Sequence, residues 1–168
     1  MEQTRSLATL HHVIQAAFGW SDIEQHEFEI DGLVYANAEF ALGELEGAIL
    51  DEHTYRINEV TRTEQVFTYR YDFDSNWSHR ILVEAIVPAD DLLGYAIVLA
   101  GSRASPPESL DGPEGYRLFR RVMARDPLSY QAHAYRVLAG DDYDPERYDR
   151  QAANAALQRL ERNHWIDD

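Results

Sequence analysis

Asp72, Asp74 and Asn76 stand at alternate positions in YDFDSNWSH (residues 71–79), the spacing with which a calcium loop presents its first three oxygen ligands. A loop of that kind beginning at Asp72 needs glycine at its sixth position and a bidentate glutamate at its twelfth, where this chain has Trp77 and Val83. Glu84 falls one residue late, and the flanks alternate as strands do, whereas the calcium motif requires helices. The acidic stretch therefore reads as a hairpin tip, because Asp and Asn accept left-handed backbone angles and hydrogen-bond their own turn.

A second set of chemical groups is dispersed along the chain. His26 and His79 are candidate ligands for a divalent metal with a carboxylate completing the set, since imidazole with carboxylate suits zinc, manganese or iron. No His-x-x-x-His pair supports them, and a lone strand histidine is more often a hydrogen-bonded structural residue. Asp72 and Glu84 form an acid/base candidate pair, although strand alternation points Glu84 away from His79 and Ile81. Arg103 and Glu108 share the loop GSRASPPESLDGPEGY (101–116). There the guanidinium either receives a carboxylate or phosphate, or pairs with Glu108 or Asp111 and locks the loop. Trp20, Trp77 and Trp165 with ten tyrosines line a groove or fill a core, and their periodicity favours the core. These residues define a candidate polar binding surface of Asp72, Trp77, His79, Glu84, Arg103 and Glu108.

Composition removes several functional classes. The 168 residues, 45% hydrophobic, suffice for a single domain spanning 1–168. Without cysteine there is no disulfide framework, thiolate zinc site, iron–sulfur cluster or cysteine nucleophile. All 15 basic residues are arginine, which excludes lysine Schiff-base chemistry and the lysine of a phosphate-binding loop. A formal charge of −15 repels a phosphate backbone, so non-specific nucleic-acid binding is disfavoured. Arg117, Arg121 and Arg125 repeat along one helix face and read as a solvated stripe. No signal peptide or membrane-length apolar run is evident, so a cytoplasmic location is expected and Asn76-Trp77-Ser78 is an accidental glycosylation sequon.

The elements that must position these groups follow from periodicity. Leu7, Leu10, Ile14, Ala17 and Phe18 predict a helix capped by Thr4 or Ser6 and stopped by Gly19. His26, Phe28 and Ile30, then Asp31-Gly32 and Leu33 to Tyr35, predict a hairpin. Residues 39–53 read as an irregular excursion, and 55–60 as a short strand or one helical turn. Alternation from Phe67 to Phe73 and from Trp77 to Val83 predicts two long paired strands, and Tyr95 to Leu99 a further short one. After Tyr116 the pattern is helical, with one helix marked by Phe119 and Met123, another over Tyr130 to Leu138, and a last one, after Asp144-Pro145, carrying Leu157 and Leu160.

Four segments together resemble one family. Tyr71-Asp72-Phe73 with Trp77, His79, Ile81 and Glu84 is similar to the Tyr-Asp-Phe-Gly-Asp-x-Trp-x-His-x-Ile segment of the plasmid pRiA open-reading-frame-three-like family. LHHVIQAAFGW (10–20) resembles that family's Leu-His-x-Val-Ile-Gln helix, His26 with Phe28 its His-x-Phe strand, and 101–116 its Pro-Pro-Glu-Asp loop. The chain departs from the pattern at Asp74 and Ser75, and at Ser105 and Ser109 where cysteines are common in the family.

The resemblance implies an α+β fold, with a mixed, mainly antiparallel sheet packed against an N-terminal helix and C-terminal helices. It also implies a plasmid or mobile-element context, in which members carry the label TnpR-type passenger protein, and it brings no established activity. A resolvase would need a nucleophile among arginines and a basic DNA-binding module, and neither is legible here. The family's leading strand is missing before the first helix, so the expectation is either that the native start lies upstream or that the sheet lacks an edge strand which a second copy or another protein partner supplies. The expected function is a non-enzymatic binding or interaction module; the alternative is a metal-dependent hydrolase using histidine and carboxylate ligands.

Overall fold

The computed structural model describes residues 5–38, 49–87 and 96–163. Helix α1 (Leu7–Phe18) starts where the Ser6 hydroxyl accepts the Thr9 N–H at 3.2 Å, and ends at Gly19, whose left-handed φ of 73° turns the chain out of the helix. Strands β1 (His26–Ile30) and β2 (Leu33–Ala36) follow, joined by Asp31 and Gly32 with φ of 52° and 79°, the geometry that an Asp-Gly hairpin turn demands. Strand β3 (Leu50–Asp51) lies parallel to β2, and the 55–60 segment is one helical turn, α2 (Ile57–Val60). Strands β4 (Val66–Tyr71) and β5 (Trp77–Leu82) form the second hairpin. Helices α3 (Gly112–Arg125), α4 (Tyr130–Ala139) and α5 (Arg150–Arg162) complete the described chain.

The sheet runs β3-β2-β1-β4-β5, antiparallel except for β2 with β3, so the fold is α+β as expected. Directly paired residues share a sheet face. Tyr35, Phe28, Tyr69 and His79 therefore form one cross-strand row, and His26, Tyr71 and Trp77 the next. This aromatic face packs beneath α1, which in turn packs against α5. The opposite face carries Glu27, Glu29, Thr68, Arg70, Ser78 and Arg80, with an ion pair between Glu27 and Arg70.

At the β4–β5 tip the Asp72 carboxylate accepts the N–H groups of Asp74 and Ser75, each at 3.2 Å, and Asp72 and Asn76 both have φ of 55°. The turn reading of this stretch holds. Asp72→Ala is expected to lower stability by about 1–2 kcal/mol in urea denaturation, because it frees two turn amides at a left-handed position, with Asp72→Asn costing far less.

Two expectations need correction. Residues 96–100 form no strand, and Tyr95 lies outside the described residues. The Asn154 side-chain amide on α5 takes the place of a strand partner, accepting the Val98 N–H at 2.8 Å and donating to the Val98 carbonyl at 3.0 Å. Strand β3 was hidden within an acidic stretch read as irregular, and residues 39–48 of that stretch lie outside the described residues. Arg117, Arg121 and Arg125 are exposed on α3, as the solvated-stripe reading requires.

Candidate functional site

The middle of α1 carries the most concentrated chemistry among the described residues. His11 and His12 are neighbours on the helix and diverge from one another, yet one carboxylate reaches both. It does so because Gly19 reverses the chain and Asp22, itself at φ 58°, reaches back to the middle of the helix. His11 Nε2 lies 2.5 Å from Asp22 Oδ1, and His12 Nδ1 lies 2.7 Å from Oδ2. Ligand atoms of His11, His12 and Asp22 all fall within 4.8 Å of one another.

The sheet supports this trio from below. The His26 ring stacks on His11 with centroids 3.4 Å apart and planes 2° from parallel, and its Nε2 meets Glu52 Oε2 at 2.8 Å. Glu52 is 2% exposed, so a carboxylate is held inside the protein by that imidazole. Tyr69, fully buried on β4, places its hydroxyl 2.7 Å from His11 Nδ1, and Gln15 Nε2 donates to the same hydroxyl at 2.9 Å. The hydroxyl that accepts from Gln15 has its proton left for His11 Nδ1, which puts the imidazole proton on Nε2, aimed at Asp22.

Burial pushes His11 down to about 4, so it is neutral at pH 7. Burial also opposes the Asp22 charge, but hydrogen bonds from His11 and His12 outweigh it and hold the carboxyl well below the usual range. His79 is lowered by burial as well. The ordinary value of both histidines, 6.5, lies above their folded values, so the unfolded chain binds more protons as acid is added. Stability is fully present above pH 6.5 and falls as pH drops towards about 4. The His11 shift alone corresponds to about 3–4 kcal/mol once the pH has fallen below both values. Urea midpoints at pH 7.5, 6 and 5 check this, and a flat profile would refute it.

Beside the trio, α1 and α5 leave an open cleft of about 220 Å3. Gln15, Ala16 and Trp20 face Ala156, Leu160 and Asn163 across it, and His12 and Asp22 lie on its wall. Gln15 is 1% exposed and its Oε1 has no hydrogen-bond partner, although buried amides are rarely left half-satisfied.

Glu108 anchors the Pro-rich loop to this region. Its carboxylate accepts the Ser21 N–H at 2.7 Å, the Ser21 hydroxyl at 2.9 Å and the Tyr71 hydroxyl at 2.6 Å. Burial and that carboxylate push Tyr71 up to about 12. The Trp20 indole N–H donates to the Pro106 carbonyl at 2.9 Å.

The residues singled out from sequence are therefore spread over several places. Asp72 caps a turn. Trp77 is buried in the core. His79 packs among Phe18, Trp20 and Tyr69, with ring centroids 5.2 to 5.5 Å away. Glu84 is exposed beyond β5. Arg103 pairs with Glu146 at 3.2 Å. Glu108 lies beside Ser21, one residue from Asp22. Of the candidate ligand pair, His26 is brought against the cluster and His79 stands two strands away, across β4. His11, His12 and Asp22 were not singled out as ligands. Their signal was present, because His11 and Gln15 fall at i+4 and i+8 from Leu7, two polar residues on the stripe that must be buried.

An α+β domain with one aromatic sheet face under a histidine-bearing helix is thus the class of protein defined by fold and site. The chain belongs to the plasmid pRiA4b ORF-3-like protein family, whose model matches residues 1–152. It is 29% identical over 158 residues to the uncharacterized protein y4hQ of Sinorhizobium fredii (strain NBRC 101917 / NGR234), covering 94% of this chain and 80% of that one. The crystal structure of MM3350, a protein of unknown function from Methanosarcina mazei Go1, superposes with a TM-score of 0.74 at 28% identity, covering 89% of this chain and 83% of that one. Among the described residues no helix is long and apolar enough to cross a membrane.

Proposed function

We propose that this protein is a binding module whose ligand is one divalent transition metal, held by His11 Nε2, His12 Nδ1 and Asp22. The convergence of these ligand atoms within 4.8 Å beside an open cleft carries the reading. Two imidazoles and one carboxylate suit zinc, iron, cobalt or manganese better than calcium or magnesium, which prefer oxygen ligands. The stacked His26 and the Tyr69 hydroxyl fix the His11 ring, the outer-shell support that metal-bound histidines require.

The test is a native mass spectrum of the untagged chain after zinc or cobalt loading. One metal per chain is expected, with affinity weakened by roughly 100-fold or more in His12→Ala and in Asp22→Asn, beyond the 10–100-fold typical of outer-shell changes. Loading that survives both substitutions would overturn the site. The same spectrum reports whether a second copy pairs along a sheet edge.

A metal-dependent hydrolase is the second reading, and the open cleft favours it, since three protein ligands leave a position for water. The titratable side chains on the cleft wall are His12 and Asp22, both used as ligands, so no separate general base stands there among the described residues. That favours the non-catalytic module. Chelator-sensitive hydrolysis of p-nitrophenyl acetate, lost in His12→Ala, would reverse the order of the two readings.

A further inference from the structure

The hydrogen bonds behind His11 run in a direction that a metal must reverse. Gln15 Nε2 donates to Tyr69, the Tyr69 hydroxyl donates to His11 Nδ1, and His11 Nε2–H donates to Asp22. A nitrogen that ligates a metal carries no proton. Binding at Nε2 therefore moves the imidazole proton to Nδ1, where it must be donated to the Tyr69 oxygen. That oxygen's own proton then needs an acceptor. Gln15 supplies one, because its Oε1 is buried and without a partner in the present arrangement.

We infer that metal loading reverses the whole chain His11–Tyr69–Gln15, with the Gln15 amide turning over so that Oε1 accepts from Tyr69, and that Gln15 and Tyr69 are positioning residues for the metal ligand His11. The inference rests on the metal reading above. Behind His11 only the Gln15 amide has to turn over and no proton leaves the His11–Tyr69–Gln15 chain, while in front of it the ligand atoms, now 2.5 and 2.7 Å apart, spread to about 3 Å to admit the ion. A side chain able to donate at one end and accept at the other is what such a reversal needs. Glutamine is that side chain, and its unpartnered oxygen is otherwise an unexplained cost at a 1% exposed position.

Cobalt(II) titration followed by its d–d absorption separates this from a packing role. Gln15→Glu presents an acceptor to Tyr69, matching the metal-bound direction, and is expected to bind cobalt at least as tightly as the parent chain. Gln15→Met fills similar space without an acceptor and is expected to bind roughly tenfold more weakly, and Tyr69→Phe roughly 10–100-fold more weakly. Equal weakening in Gln15→Glu and Gln15→Met, or unchanged binding in Tyr69→Phe, would overturn the inference while leaving the metal site standing. Failure of the parent chain to take up cobalt would remove the metal reading itself, and the inference with it. Circular dichroism of each variant reports folding, and a Gln15→Glu chain that folds yet binds weakly counts against the reversal.

Discussion

Gly112→Ala is expected to destabilise the protein by about 3–4 kcal/mol, enough to shift its urea midpoint well outside experimental scatter. Gly112 opens α3 at φ 62°, and a Cβ added there meets the Ser75 carbonyl oxygen at 1.8 Å. Backbone cannot yield as a side-chain tip can, so either the hairpin tip or the helix start must move. Gly19→Ala and Gly140→Ala provide the comparison, since φ is 73° and 91° and open space surrounds the added atom. Each of those pays only for the left-handed backbone, about 1–2 kcal/mol. The excess at Gly112 measures the close approach of the Pro-rich loop's end to the β4–β5 turn. Equal costs at all three positions would refute that contact.

Tyr69→Ala is expected to cost about 4 kcal/mol or more, the range for deleting a buried aromatic ring. Tyr69 is fully buried on the central row of the sheet, with the Phe28 ring centroid at 4.9 Å, His79 at 5.5 Å, His11 at 5.8 Å and His26 at 6.0 Å. Its removal opens a cavity and leaves both His11 Nδ1 and the Gln15 amide without their partner. A domain stable by 5–15 kcal/mol has little margin for that loss. Thr68→Ala, one residue earlier and on the opposite sheet face, is expected to change stability by less than about 1 kcal/mol in the same urea experiment. Comparable effects at 68 and 69 would contradict the one-sided core.

Much of the fold was legible because side-chain period and turn chemistry agree. Alternation around Tyr69 and Tyr71 and an Asp-Gly turn set two hairpins, and Gly19 marked the end of α1. Strand β3 escaped because two residues pairing in parallel with β2 leave no period to detect, and the 96–100 segment misled because its apolar residues border an asparagine amide in place of a strand. The candidate site was less legible. His26 was found on its strand, but its partner Glu52 comes from a segment read as irregular, and Asp22 reaches His11 and His12 only through the reversal at Gly19. Linear spacing cannot report a carboxylate brought back by a left-handed turn. A histidine and a glutamine on the buried stripe of α1 were the available signal, since polar groups placed there must find partners inside.

Trp20 gives the site its own optical reporter. Its indole borders the cleft, while its ring lies 5.3 Å from Tyr71 and 5.4 Å from Trp77. Excitation absorbed by the deeper Trp77 can pass to Trp20 over such a distance, so under the metal reading proposed above Trp20 and Trp77 are expected to dim together on cobalt addition. Emission of the unlabelled chain thereby serves as a titration signal for the proposed site, read from a Trp20 indole whose N–H is tied to the Pro106 carbonyl.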